Sequence, residues 1–329
     1  PPTQNATWIS HGRTCARKDN NMITDFTATD VPDQSGKTFF ITGANTGIGF
    51  EAAKVFAGKG GRVLLGCRNP EKGKEALARI SETYPGADIA LVQIDLSDLA
   101  SVRAAAEVVA REPRLDVLVN NAGVMWNPRT ITSDGFESQF GVNHLGHFAL
   151  TGLLLPLLEA TPNSRVVTVS STGHRLGNGD IYWDDINADR EYHPRRRYYA
   201  SKLANLLFTY ELDRRLRGKG ASTIAVAVHP GGSDTELNRY VTGFTGVMTR
   251  AMTPLMRPIM NTAEQGAWPT ELAATAAGVE GGQYYGPGNW REMSGPARQV
   301  DSSDASKDEA KAKRLWDLSI KMTGVDPAI

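Results

Sequence analysis

The sequence predicts an α/β fold: a doubly wound parallel sheet of about seven strands, with helices on both faces, in a single domain. Three observations predict it. From Gly36 onward, short β-rich runs alternate with helical patterns, as a parallel sheet with covering crossovers requires. The strand runs are continuously apolar, as in Val63-Leu64-Leu65 and Val117-Leu118-Val119, the mark of strands buried on both faces. A glycine-rich segment falls between the first strand and the first helix.

The elements follow in order. Strand 37–42 leads to a helix near 48–58, and strand 62–66 to a helix over 70–84. Strand 89–94 precedes a helix near 98–110, and strand 115–120 a long helix across 135–158. Strand 165–170 is followed by a long polar connection, 172–197, and a helix over about 196–217; strand 223–228 comes next. A second irregular stretch, 231–261, is rich in Thr, Met and Pro. Long loops in a compact domain are usually functional or disordered. The charged, Ala-rich stretch 301–313 reads as a surface helix. With no repeat or linker in view, the organisation is read as an N-terminal tail (1–30), one domain (36–290) and a C-terminal helical tail (291–329). Residues 1–21 are polar and patternless, and Met22 begins a more ordinary N-terminus; the stretch reads as a tag, upstream translation or a native tail.

Composition narrows the function. Lys plus Arg and Asp plus Glu are both 36 in 329 residues. A neutral chain has no global field for nucleic acid or an anionic membrane. Hydrophobic residues at 40% against 22% charged exclude wholesale disorder. Two cysteines, Cys15 and Cys67, cannot frame a disulfide scaffold or a cysteine-based zinc site. No apolar run approaches the roughly 18–20 residues of a spanning helix; 148–158 is interrupted by Thr151, Gly152 and Pro156. No basic segment followed by an apolar core marks a secretory signal. The expectation is a cytoplasmic protein without a transmembrane segment or a nucleic-acid partner.

The glycine segment is Thr42-Gly43-Ala44-Asn45-Thr46-Gly47-Ile48-Gly49. Gly43 allows a tight turn, Gly47 admits a pyrophosphate to the backbone, and Gly49 permits close helix–strand packing. The helix start then offers free N–H groups and partial positive charge to phosphates. This is the dinucleotide-binding arrangement of a Rossmann fold. An NAD site would place Asp or Glu at the end of the second strand to hold the ribose 2′-hydroxyl. Here the residues are Gly66-Cys67-Arg68-Asn69, and Arg68 suits a 2′-phosphate, so NADP (NADPH) is the expected cofactor.

Tyr198 and Lys202 are four apart in a predicted helix, on one face and one turn apart. A phenol with pKa of about 10 is a poor acid–base group at neutrality. A nearby ammonium is expected to lower it. Tyr199, about 100° round the helix, is the neighbouring decoy.

In these features the chain resembles the short-chain dehydrogenase/reductase family over roughly 36–290. The resemblance rests on T-G-x-x-x-G-I-G at 42–49, Asp95-Leu96 after the third strand and Asn120-Asn121-Ala122-Gly123 after the fourth. Asn143, Ser170-Ser171, Tyr198 with Lys202, and Pro230-Gly231 with Thr235 complete it in order. It implies that Tyr198 is the general acid or base. Lys202 would hold the nicotinamide ribose and lower the tyrosine pKa. Ser171 would bond the substrate oxygen, the second serine of the pair being the family's choice, with Ser170 on the opposite strand face. Asn143 would hold a water in a relay to Lys202. Gly43, Asn45, Thr46, Gly47, Ile48, Gly49 and Arg68 would hold the phosphates. Asp95, with Leu96, would bind the adenine, and Asn120, Ala122 and Gly123 would line its ribose. Thr235 would contact the carboxamide opposite Pro230 and Gly231. Ser233 replaces a usually apolar residue. The chemistry needs a proton donor, an oxyanion partner and positioning, because the nicotinamide carries the hydride; no metal is expected. His144, His147 and Glu159 lack zinc spacing, and the histidines read as helix-packing residues.

From Ser171 to Tyr198 is 27 positions, about twice the separation in many family members. With C-R-N at 67–69 and Ser201-Lys202-Leu203-Ala204-Asn205, this resembles the retinol dehydrogenase and WW-domain oxidoreductase branch; protochlorophyllide oxidoreductases are more distant. The resemblance implies a small-molecule alcohol or carbonyl substrate of lipophilic character, and the family's habit of forming homo-oligomers. Phe244, Val247, Met248, Met252, Leu255, Met256 and Met260 read equally as an apolar lid or as helices on the core. Arg195-Arg196-Arg197 read as a solvated basic turn. The alternative reading is a non-catalytic NADP(H)-binding sensor or scaffold. A sugar-nucleotide epimerase fits less well, because its glycine spacing differs.

Overall fold

The computed structural model describes residues 23–232 and 260–329. Within them one sheet is built from β1 (Thr38–Thr42), β2 (Arg62–Cys67), β3 (Ile89–Gln93), β4 (Val117–Asn120), β5 (Arg165–Val169), β6 (Ile224–Val228), β7 (Tyr284–Asn289) and β8 (Ser294–Val300). The order across it is β3-β2-β1-β4-β5-β6-β7-β8. Every neighbouring pair is parallel except β7 with β8, which is antiparallel. The doubly wound α/β class is therefore the observed one, with eight strands where about seven are expected.

Helices cover both faces: α1 (Gly47–Gly58), α2 (Pro70–Thr83), α3 (Leu99–Val109), α4 (Ser138–Ala160), α5 (Pro194–Lys219), α6 (Ala263–Thr275) and α7 (Glu309–Thr323). Alternation along the strands divides the core. Phe39, Ile41, Val63, Leu65, Val117 and Val119 pack with α1, α2 and α6. Phe40, Leu64, Leu118 and Val166 pack with α3, α4, α5 and α7. Both faces being covered explains why the strands read as unbroken apolar runs.

Three expectations change. β8 escapes sequence reading because Ser-Gly-Pro-Ala-Arg-Gln-Val has no apolar run; Ala297 alone is fully buried in it. It is an edge strand, partly covered where Phe26 exchanges backbone hydrogen bonds with Ala297 at 3.0 and 2.8 Å. The segment after 290 is thus not helical throughout, and its helix starts at Glu309, capped by Asp308, rather than filling 301–313. That helix is not merely a surface one: Trp316 lies 5.2 Å, edge on, from Phe148 and stacks at 6.1 Å on Phe208. Finally, α4 runs 23 residues and is apolar and long enough to cross a membrane, although no such run is expected from the sequence. A π-helical turn at Gly141–Leu145 and Pro156 interrupt it without ending it. In the fold 72% of its apolar window is buried, with Leu150, Leu154 and Leu155 in the core against the sheet.

β1 lies beside both β2 and β4, and its crossovers leave in opposite directions. At that switch point the carboxyl ends of the strands open a crevice.

Trp316→Ala removes a 3%-exposed indole from the α4–α5–α7 contact. It is expected to lower the unfolding free energy by about 3–5 kcal/mol, measured by denaturant titration.

Candidate active site

A cleft of about 540 Å³ lies at this switch point, lined by Gly43, Gly49 and Arg68 and by Ser171, Tyr198 and Lys202. The glycine turn forms because its backbone demands it. Gly43 and Gly47 hold φ of 69° and 59°, a region costly for residues with a Cβ. A Cβ on Gly49 would fall 2.4 Å from Asn121 Nδ2 and 2.6 Å from Gly43 O. The Thr46 side chain does not cap α1, which leaves the first-turn N–H groups directed at the cleft. The expected residues Gly43, Asn45, Thr46, Gly47, Ile48 and Gly49 all line it, as do Asp95, Leu96, Ala122, Gly123, Pro230 and Gly231.

Beyond β2 no carboxylate faces the cleft. Arg68 and Lys72 line this end, and Asn69 caps α2 by accepting from the N–H of Glu71 at 2.9 Å. Lys72 is absent from the sequence reading; its signal was its place one turn into α2, four residues after Arg68. Asp95 is already engaged, its Oδ1 accepting from Ser97 N at 2.9 Å and Ser97 Oγ at 2.7 Å.

Tyr198, 6% exposed, and Lys202, 3% exposed, project from α5 on the same face. Ser171 and Tyr198 both line the cleft, and the Ser171 hydroxyl partly offsets the burial that raises the Tyr198 phenol. Ser171 Oγ also accepts from Gly173 N at 3.1 Å. Ser170 turns the other way and donates to Lys202 O at 2.8 Å, so strand alternation does separate the pair. Lys202 Nζ donates to Val169 O at 3.1 Å and sits 5.8 Å from the Tyr198 ring centre. Burial pushes the Tyr198 phenol up to about 12 and the Lys202 ammonium down to about 8. The expected lowering of the phenol is absent here: desolvation outweighs an ammonium that bonds to a carbonyl instead. Tyr199 packs instead against Gly173.

Two expected residues stand behind the wall. Asn120 is fully buried and its amide donates to Thr151 Oγ1 at 2.9 Å, tying β4 to α4. Its neighbour Asn121 lines the cleft instead. Asn143 sits in the π-helical turn with its carboxamide turned to the Val124 backbone: Oδ1 accepts from Val124 N at 2.8 Å, and Nδ2 donates to Val124 O and to Ser201 Oγ, each at 3.0 Å. It holds the 123–125 wall. Val124, Met125, Trp126, Val142 and Met260 give the cleft an apolar lining. Trp126 takes a left-handed φ of 55° and is pinned by its N–H donating to Gln139 Oε1 at 2.9 Å. Neither hydropathy nor spacing marks it. Arg195 lies over its ring at 4.9 Å, and Arg197 is buried against Asp185 at 2.7 Å, so the basic turn is only partly solvated. Thr235, Ser233, Cys15, Met22, Phe244, Val247, Met248, Met252, Leu255 and Met256 lie outside the described residues.

The histidines are structural. His147 Nε2 is 2.9 Å from Thr42 Oγ1 and its Nδ1 3.1 Å from Asn143 O. His144 Nε2 is 2.8 Å from Ser319 Oγ. His174 Nδ1 donates to Ser171 O at 2.6 Å, while Nε2 accepts from Ser303 N at 3.1 Å. Among the described residues no group of three or more His, Cys, Asp or Glu could hold a metal ion.

Residues 37–182 match the family model for short chain dehydrogenase. Retinol dehydrogenase 11 of Homo sapiens is 40% identical over 307 residues, spanning 92% of this chain and 91% of the relative. Retinol dehydrogenase 14 of Mus musculus is 40% identical over 88% of this chain and 86% of its own length. A solved structure of an uncharacterised protein from Mycobacterium paratuberculosis superposes with a TM-score of 0.76 at 37% identity, covering 93% of this chain and all of that one. The Pseudomonas aeruginosa RhlG/NADP complex, at TM-score 0.60, 24% identity and coverage of 76% and 94%, is similar in fold alone.

Burial, which outweighs the neighbouring groups, lowers His144 to about 3 and His147 and His174 to about 4. Below the unfolded value of about 6.5 the unfolded chain binds protons that the folded one refuses. Stability is therefore expected to fall as pH drops from about 6.5 towards 4, by up to about 1.4 kcal/mol per pH unit for each such histidine. Denaturant midpoints across that range check it; a flat profile contradicts it.

Proposed function

The chain belongs to the short-chain dehydrogenase/reductase family, in its retinol dehydrogenase-like branch, and from that premise we propose that it is an NADP(H)-dependent reductase of apolar carbonyls. The reverse reaction is oxidation of the corresponding alcohols, with retinoids as the substrate class. The observation that carries the reading is that Ser171, Tyr198 and Lys202 line the same cleft as the uncapped glycine turn. The family's nicotinamide cofactor fits this cleft. The glycine turn and the first turn of α1 would hold its diphosphate, and Arg68 with Lys72 a 2′-phosphate, where β2 ends without a carboxylate. When bound, that group supplies or takes the hydride.

The protein's own part is proton supply and orientation. With its pKa raised to about 12, Tyr198 keeps its proton at neutral pH, as a general acid for carbonyl reduction must. Ser171 accepts from Gly173 N, so its Oγ–H remains free to donate to the substrate oxygen or to Tyr198. Lys202, lowered only to about 8, stays largely cationic at neutrality and supports negative charge that develops beside it. Asn143 holds the Val124 backbone, and with it the wall that carries Met125 and Trp126. That apolar wall and Met260 favour a lipophilic substrate over a sugar or a phosphate ester. The retinol named in its relatives is of that kind.

Tyr198→Phe is expected to lower turnover of retinaldehyde with NADPH by about 10²–10⁴-fold while NADPH affinity stays within about 2-fold. Unchanged turnover removes Tyr198 from the mechanism. Tight NADPH binding by the parent chain, with no turnover across a broad carbonyl panel, replaces the enzyme with a sensor. Arg68→Ala is expected to weaken NADPH about 10–100-fold and NADH by less than about 2-fold, because only NADPH offers the charge-assisted contact. Equal losses in a fluorescence titration dismiss the phosphate clamp.

A further inference from the structure

Glu292 sits in the turn between β7 and β8, distant in sequence from every motif. The chain holds two successive residues of that turn, Arg291 and Glu292, in the left-handed region with φ of 53° and 61°. Neither is a glycine, and such backbone persists where the surroundings over-determine it. The surroundings here are both walls of the catalytic end of the cleft.

On one side is the Ser171 wall. Ser171 caps the short 3₁₀ helix Thr172–Arg175, so Arg175 moves with it. Arg175 grips Glu292 with two bonds, Nη1 to Oε2 at 2.8 Å and Nη2 to Oε1 at 3.1 Å, and also donates to Asp301 O. On the other side, His229 follows β6 and precedes Pro230. Its Nε2 lies in contact with Glu292 Oε2 at 3.1 Å without hydrogen-bond alignment, and its Nδ1 accepts from Gly231 N at 3.2 Å. The next residue of the turn, Met293, accepts from Gly232 N at 2.9 Å. A Cβ on Gly286 would fall 2.0 Å from His229 Nε2, and one on Gly231 would fall 2.6 Å from Met293 O, so the packing admits only glycine at both places. Glu292 is 21% exposed and Arg175 33%, partly shielded from the solvent that weakens surface pairs.

We propose that Glu292 is a positioning residue: its carboxylate ties the Ser171 wall to the 230–232 wall and sets the width of the gap between them. The inference rests on the reading of the cleft as a reductase site, since Ser171, Pro230, Gly231 and Gly232 all line it. Glu292 touches neither Tyr198 nor the cleft itself; it acts through Arg175 and His229. A widened gap misplaces the reacting groups, and a displacement of about 1 Å is enough to cost about 10²-fold in rate.

The test uses the full chain with Glu292→Gln, Arg175→Gln and the double variant. Each single change is expected to lower kcat for the carbonyl substrate by about 10–100-fold, with NADPH affinity and carbonyl KM within about 3-fold, since the glycine turn and the apolar 124–126 wall are held elsewhere. The double variant is expected to lose no more than the worse single one, as two ends of one clamp do. Parent-like kcat in Glu292→Gln, or losses that multiply, overturns the proposal. Hydrogen exchange of the chain without cofactor supplies a readout that needs no turnover. The Gly231 and Gly232 amides are expected to exchange about 10-fold faster in Glu292→Gln while β5 and β6 amides do not change. Unchanged glycine exchange, or uniform acceleration across the sheet, also overturns it. If the parent chain turns over no carbonyl but these two amides respond, the reductase reading fails and the clamp stands.

Discussion

One hydroxyl organises the crevice. Where β1 and β4 part, the backbone N–H groups of Asn121 and Ala122 have left the ladder and need acceptors. Thr42 Oγ1 accepts both, at 2.9 and 3.0 Å. Its own proton is then directed to His147 Nε2 at 2.9 Å, and the ring's Nδ1–H goes to Asn143 O at 3.1 Å. Asn143 in turn fixes Val124 through both ends of its carboxamide. On the other side the Asn121 amide donates to Thr42 O at 2.7 Å and packs where a Cβ on Gly49 would lie. The glycine turn and the wall beside Lys202 are thus two ends of one hydrogen-bonded chain. Thr42, His147 and Asn143 are buried, so breaking the links among them strands a polar group in a low-dielectric interior.

Burial also decides protonation. A tyrosine and a lysine one helical turn apart read as a pair in which the cation acidifies the phenol. In the fold both side chains are almost dry, and each is pushed towards its neutral form. The ammonium is bonded to the Val169 carbonyl rather than to the phenol. Desolvation therefore outweighs Coulomb attraction at this separation. A phenol in that state is a donor, and the chemistry assigned to the cleft starts from a protonated tyrosine.

Much of this was legible in the residues alone, for physical reasons. Strands buried on both faces must be apolar, so Val63-Leu64-Leu65 announces itself. Helical spacing puts Tyr198 and Lys202 on one face, and the period of a strand separates Ser170 from Ser171. What pattern reading could not reach is direction within a motif and contact across the chain. Asn120 and Asn121 are adjacent and chemically identical, yet one points into the core and the other to the cleft, which depends on where β4 ends. Asn143, in a π-helical turn, bonds both ends of its carboxamide to the Val124 backbone, a contact across the chain. β8 lacks hydrophobic alternation because it borders the sheet, with Ala297 as its one fully buried residue.

The same limit explains the weight carried by the last forty residues. Loops at the carboxyl ends of parallel strands are irregular backbone, with donors and acceptors that no ladder satisfies. In this chain the C-terminal segment answers several of them. Ser303 N and His174 together hold the Ser171 carbonyl. Met293 O receives the Gly232 amide. Ser319 on α7 meets His144, the residue after Asn143. None of these partners carries a motif, because backbone atoms and a lone serine serve as well from many sequences. The geometry at Ser171 and Tyr198 is therefore set partly by residues whose identity is free and whose position is not, and position is what a single sequence does not print.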